Sequence, residues 1–419
     1  MSPPELRFGA VTLVLLMGLA ALTSCSSQSD RRVARSSSTT TPLGDGPASQ
    51  ESGVSALLAP PTTPVPNSAP AGTGASTGLQ SASPQQRMFA FYYLWWDTAH
   101  WHARLGPSYP YNQSPPPLPA SLDASGCHPT SVYQGNQLTD VASPLFTQSD
   151  PAQILRDVQQ AASAGLAGFA VAWAGTGLPN QNVNSTTFNQ RLAMVVQAVH
   201  QVNQGGTPFK LWIAYMSSAR IRTPAQIDND LEYLDSTYGS DPVFDRTNSP
   251  RMTLILMGSR KYPQSVLDGV SAHWRPHFYL VADENWGTWN KAKSDDFDAD
   301  QYYWSSETPS QRSYSQVVKL AAEVRASRNP DGSAKRFFGP LAPGYDKQLA
   351  GGSDCVPRDG GLTMRSLYTG NLAAQPDGWM VISWNEIDEG TYILPLERYG
   401  TQSLDTLRSL IEAGGVNGR

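Results

Sequence analysis

Short apolar runs alternate along this chain with longer segments in which apolar residues recur every three to four positions. MFAFYYL (88–94) precedes PAQILRDVQQAASAG (151–165), GFAVAWA (168–174) precedes FNQRLAMVVQAVHQ (188–201), FKLWIAYM (209–216) precedes AQIDNDLEYLDSTYG (225–239), and MTLILMG (252–258) follows. Near-continuous apolar runs read as strands buried on both faces, and their alternation with helices predicts parallel pairing. The second half continues with HFYLVAD (277–283), ADQYYW (299–304) and a helix from Ser310, then FFGPLA (337–342), WMVIS (379–383) and a closing helix from about Gln402. This order predicts an α/β fold, a closed (β/α)8 barrel over residues 87–419. Asp150 and Pro151 supply a capping residue and a proline at the first helical position, and Gly165 supplies a stop. Residues 261–274 and 285–297 mix helical period with breakers, so each is expected to be a long loop with a short helix.

Ahead of the barrel, FGAVTLVLLMGLAALTS (8–24) follows Arg7 and ends at Leu22, Thr23 and Ser24, directly before Cys25. The apolar core has signal-peptide length and its end resembles a bacterial lipobox. Residues 1–24 are therefore expected to be a lipoprotein signal peptide, with Cys25 the lipidated mature N-terminus holding the protein on the extracytoplasmic face of a membrane. An ordinary cleaved signal is the alternative. Residues 25–86 are rich in Ser, Thr, Pro, Gly and Ala and read as a disordered linker. A flexible coil of that length spans roughly 40 to 50 Å, enough to hold a folded domain clear of lipid. Beyond residue 24 there is no apolar run of about 18 residues, which excludes a multi-span membrane protein.

Lys and Arg total 30 against 35 Asp and Glu, a net charge of −5 that offers no electrostatic footprint for nucleic acid. The aromatic content is the larger clue, with 11 Trp and 17 Tyr. Trp95, Trp96, Trp101, Trp173, Trp286, Trp289, Trp304 and Trp384 fall at or just beyond predicted strand ends. Pyranose C–H faces stack on indole, so these positions read either as the wall of a sugar-binding cleft or as large core residues.

In such a barrel the reacting groups come from the carboxyl ends of strands. SWNEIDEGTYILP (383–395) occupies that place on the last strand, with Glu386 and Glu389 three apart in a tight turn or a first helical turn. Two carboxyl groups in unequal environments suit glycosidic cleavage, where one holds a proton and the other stays ionised. The competing reading is that acidic residues merely favour the start of a helix. Asp283 and Glu284, closing the predicted fifth strand, are rival acids.

The string resembles the signature of glycoside hydrolase family 99 and its clan of related barrels: Ser or Thr, an aromatic, then Asn-Glu-x-x-Glu-Gly-Thr-x-Ile-x-Pro. FYYLWW with His100 and Trp101 resembles that family's first strand and its loop. AGLAGFAVAW resembles the second, PGYD (343–346) the seventh, and 358–368 the segment before the catalytic strand. The resemblance implies hydrolysis of α-linked mannan or glucan with retention through a 1,2-anhydro sugar. Glu386 is then the base on the sugar 2-hydroxyl and Glu389 the acid. It also implies sugar contacts from Tyr93, Trp96, His100, Trp173, Tyr303, Tyr345 and Asn385. Three departures stand out: Met216 where the family often has Glu, Leu394 where the signature usually has Glu, and Ile387-Asp388 in place of Trp-His. A carbohydrate-binding barrel without catalysis is the alternative function.

Cys127 and Cys355 fall in the loops after strands one and seven, neighbours round a closed barrel, and are expected to pair in an oxidising compartment. Asp296, Asp298, Asp300 and Glu307 mimic a calcium loop, but Gln301 stands where the turn needs Gly. The six His show no zinc spacing, and Walker, dinucleotide and Gly-x-Ser-x-Gly motifs are missing. No metal and no cofactor are expected, the partner is a polysaccharide or glycan, and the chain is expected to act as a monomer.

Overall fold

The computed structural model describes residues 87–114, 118, 121–130, 133, 138–177, 185–219, 222–303, 314–346 and 354–416. The expected signal peptide, Cys25, the linker, Trp304, Glu307 and Ser310 lie outside the described residues. The elements in chain order are β1 (Met88–Tyr93), α1 (Thr98–Leu105), α2 (Pro151–Ser163), β2 (Gly168–Trp173), α3 (Ser185–Gln204), β3 (Lys210–Tyr215), α4 (Pro224–Tyr238) and β4 (Met252–Leu256). There follow α5 (Gln264–Trp274), β5 (Phe278–Asp283), α6 (Lys291–Asp296), β6 (Ala299–Gln301), α7 (Ser315–Ala326) and β7 (Arg336–Leu341). The chain closes with β8 (Tyr345–Asp346), β9 (Cys355–Val356), α8 (Leu362–Asn371), β10 (Gly378–Val381) and α9 (Gln402–Val416).

β1 to β7 and β10 form one closed parallel barrel, in which β10 lies between β7 and β1. Its strands are buried along their lengths except at Lys210 and Arg336, the first residues of β3 and β7, as their apolar runs require. In the interior, Phe89 of β1 stacks on Trp212 of β3 with ring centres 4.3 Å apart, and Trp212 meets Phe338 of β7 edge-on at 4.9 Å. Odd-numbered strands thus fill one layer. Gly168 of β2 leaves the room: a Cβ there would lie 2.6 Å from the Phe89 ring and 2.0 Å from the Lys210 carbonyl oxygen.

The helix ends follow local chemistry. Asp150 accepts the Ala152 N–H ahead of Pro151, and Gly165 takes a positive φ of 89° beyond α2. On α4, Thr223 and Gln226 form a reciprocal capping box before the first turn.

Three expectations are corrected. Residues 264–274 are a full helix, whose Leu267, Val270 and Trp274 are buried at helical spacing and whose indole donates to Asp228 of α4 at 2.8 Å. β6 ends at Gln301, because the Tyr303 N–H is taken by the Asp283 carboxylate at 3.2 Å instead of by a neighbouring strand. PGYD is not the seventh barrel strand. That strand is Arg336–Leu341, and Tyr345–Asp346 pairs antiparallel with Cys355–Val356 in a separate ribbon over the barrel mouth.

Candidate active site

The chain leaves β10 into a loop stitched to itself at both ends. The Ser383 N–H donates to the Thr391 carbonyl at 2.7 Å and the Ile393 N–H returns to Ser383 O at 2.9 Å. Ser383 Oγ accepts the Glu386 N–H at 2.7 Å, and Glu386 O accepts the Thr391 N–H at 3.2 Å. The acids therefore sit in a turn, not a helix. Gly390 closes that turn at φ 65°, and a Cβ there would meet the Asp346 Cβ at 3.2 Å. The same close approach lets the Asp346 N–H hold the Glu389 carbonyl at 2.8 Å.

The Glu386 side chain is 3% exposed, and its Oε1 has no hydrogen-bond partner among the described residues. Burial first, then the charges of Asp388 and Glu389, push its carboxyl well above the usual range. Tyr93 of β1 and Tyr303 beyond β6 share a hydrogen bond between their hydroxyls at 2.7 Å. Burial chiefly, with Glu386 and Glu389 both contributing, raises the hydroxyl pKa of each of these tyrosines and of Tyr345. Both acids thus bear on tyrosines drawn from β1, the end of β6, and β8.

His100 and Arg104 of α1 reach the same loop and bind Asp388, His100 through Nε2 at 3.2 Å and Arg104 through Nη2 at 2.8 Å. The α1 N-terminus is fixed by Asp97, which accepts the His100 N–H and pairs with the buried Arg191 at 2.6 Å.

Three residues expected to face substrate are fully buried and hydrogen-bonded within the fold. Asn385 is fully buried, with Nδ2 donating to Tyr93 O at 2.9 Å and Oδ1 accepting the Tyr93 N–H at 2.8 Å, so its amide is consumed in joining β10 to β1. Trp96 is fully buried and donates to Asn385 O at 2.7 Å. Trp173 is fully buried, donates to Asn189 at 2.8 Å and stacks near Tyr233. Trp101 and Trp384 are likewise core, Trp289 is buried, and Trp286 is exposed with Lys319 over its ring at 4.4 Å. Trp95 is half-buried, with its ring 4.4 Å from that of Tyr93. Sequence reasoning missed Gln148, which accepts the Trp96 N–H and donates to Tyr93 O at 2.7 Å; nothing local marks it.

The rival acids are held by other partners. Asp283 pairs with Arg260 at 3.1 Å and accepts the Gly258 N–H at 2.7 Å, and Glu284 accepts from Ser259 Oγ at 2.8 Å. Asp298 binds Arg251 and Arg275 while Asp300 accepts the Glu284 N–H, so among the described residues the members of the calcium-like spacing form no cluster.

Cys127 and Cys355 are joined as a disulfide with Cα atoms 5.9 Å apart, tying the loop after β1 to the ribbon that carries Tyr345. Among the described residues, His128, Asp346 and Cys355 bring metal-type ligand atoms within 4.8 Å of one another, but the Cys355 sulfur is spent in the disulfide. No helix among the described residues is long and apolar enough to cross a membrane.

No family model and no curated protein matches the chain. Among solved structures it is similar to the GH99 endo-alpha-mannosidase from Bacteroides thetaiotaomicron, with TM-score 0.58 and 14% identity over 79% of this chain and 98% of that one. The same enzyme in complex with bis-tris-propane gives TM-score 0.55 and 15% identity, covering 78% and 97%. A glycoside hydrolase-like protein gives 0.51 and 12%, covering 81% and 97%. At these identities the likeness is one of fold: a (β/α)8 barrel like that of a family 99 enzyme, in agreement with the resemblance carried by residues 383–395.

Proposed function

We propose that the chain is a retaining glycoside hydrolase acting on α-linked mannan or glucan, with Glu386 as base and Glu389 as acid. What supports this reading is that the loop after β10 carries both acids, with Glu386 buried and its Oε1 unpartnered among the described residues, on a barrel whose Tyr93 and Tyr303 hydroxyls meet at 2.7 Å.

In the first step the sugar O2 attacks C1 while its proton passes to Glu386. The bond from C1 to the leaving oxygen breaks and that oxygen takes the Glu389 proton. A 1,2-anhydro sugar results. Water then opens it at C1, giving its proton to Glu389, while Glu386 returns its proton to O2. The unpartnered Oε1 of Glu386 suits the first transfer. Its raised pKa makes it a better proton acceptor than an ordinary carboxylate, on condition that it is ionised at the working pH. Trp95 supplies the adjoining aromatic face for a pyranose ring.

The apolar stretch 8–24 and Cys25 support a place on the extracytoplasmic face of a membrane. The disulfide between Cys127 and Cys355 is in keeping with an oxidising compartment.

A second reading, sugar binding without cleavage, is favoured by the end of β3. Tyr215 there donates its hydroxyl to Asp230 at 2.6 Å, and the next residue is Met216, so no carboxylate is offered to sugar. Mass spectrometry of products from α-mannan and α-1,3-glucan separates the two. New reducing ends support the hydrolase, and retention of glycan with no cleavage of either polymer supports the binding barrel.

A further inference from the structure

We propose that Asp388 is a positioning residue: bound by Arg104 and His100 in the same turn, two residues beyond Glu386, it fixes the charged surroundings in which Glu386 works. The inference rests on Glu386 being the base.

Three nitrogens converge on a single Asp388 oxygen. Arg104 approaches Oδ2 through Nη2 at 2.8 Å and Nε at 3.1 Å, and His100 Nε2 lies 3.2 Å away. Oδ1 is buried with no partner among the described residues. The donors cannot easily follow a moving carboxylate. His100 and Arg104 are one turn apart on α1, the His100 ring packs edge-on against the buried Trp96 at 4.5 Å, and the helix start is held by Asp97 and Arg191.

The groups facing Glu386 set the balance. Asp388 and Glu389 come from its own loop, Arg104 and His100 from α1, Tyr93 from β1, Tyr303 from beyond β6 and Tyr345 from β8. Asp283 of β5 also acts on Tyr93 but is paired with Arg260. Arg104 is the cation acting on Glu386, and it is bound to Asp388 by two hydrogen bonds. Burial would raise the Asp388 carboxyl, but His100 and Arg104 outweigh it and hold that carboxyl below its usual range. Asp388 in turn is the largest contribution after burial to the raised pKa of Glu386.

The test compares wild type with Asp388→Asn. The acid limb of kcat/KM on an α-glycan should move down by about 1 to 2 pH units, since the like charge is gone and Arg104 is left uncompensated. The plateau kcat should fall several-fold with KM little changed, because a weaker base accepts the proton less readily. Asp388→Glu should restore the limb, and Asp388→Ser repeats the test should the amide variant fail to fold. A readout independent of turnover is the infrared titration of the Glu386 carboxyl stretch, identified by its loss in Glu386→Gln. A carboxyl band that titrates lower without Asp388 supports the proposal even in a protein that cleaves nothing, in which case the hydrolase reading alone fails. A limb and a band that stay in place in folded Asp388→Asn and Asp388→Ser overturn it.

Discussion

The carboxamide of Asn385 is hydrogen-bonded at both ends to the backbone of Tyr93, accepting the N–H at 2.8 Å and donating to the carbonyl at 2.9 Å. One side chain thus fixes the residue before Glu386 against the strand end that carries the tyrosine facing it. Replacing Asn385 with Ala leaves a buried N–H without its acceptor and should cost about 2 to 4 kcal/mol. Urea denaturation measures the loss, and turnover should fall with it as Tyr93 shifts. A variant as stable as wild type would show that the two strand ends need no such tie.

Tyr303→Phe removes the hydroxyl that Tyr93 meets at 2.7 Å. If that pair orients donors toward oxygens gaining charge, kcat should drop by about 10- to 100-fold with KM nearly constant. An increase confined to KM would place the hydroxyl in substrate binding alone.

Asp157 on α2 accepts the Tyr92 hydroxyl at 2.8 Å through the barrel wall. Burial pushes its carboxyl up to about 7, with Tyr92 and Gln153 opposing the shift. Since the folded value lies above the unfolded one of about 3.9, the contribution to stability is fully present below about pH 4. It is lost as pH rises through about 7. Wild type should therefore lose up to a few kcal/mol relative to Asp157→Asn between these limits. Urea midpoints at pH 4.5, 6 and 7.5 give the comparison, and parallel curves would contradict it.

The disulfide closes a sequence separation of 228 residues. Cys355→Ser should lower stability by about 2 to 5 kcal/mol. Activity should fall too, because the ribbon carrying Tyr345 also holds the Glu389 carbonyl. Thermal unfolding and turnover with and without a dithiol reductant test both effects.

The barrel was legible because parallel strands buried on both faces leave unbroken apolar runs, and Asp150-Pro151 marks a helix start by local chemistry alone. α5 was obscured by Gly269 within it and by Pro263, which offers no side-chain cap at its start. The acids were legible as a motif, but the surrounding tryptophans were not sorted correctly. Sequence places Trp96, Trp173 and Trp384 near strand ends, whereas the direction in which each indole points depends on packing partners such as Asn189 and Phe169. For the same reason the paired hydrogen bonds between Asn385 and Tyr93, 292 positions apart, left no trace in the local pattern.

The division of labour between the two acids is tested most directly by comparing leaving groups. Glu389→Gln should hydrolyse a natural α-glycan about 10²- to 10⁴-fold more slowly than wild type, yet release fluoride from a glycosyl fluoride at a near wild-type rate in the first turnover, because that step needs no protonation. Glu386→Gln should be inactive on both. Wild-type rates on the natural glycan from either variant would contradict the account.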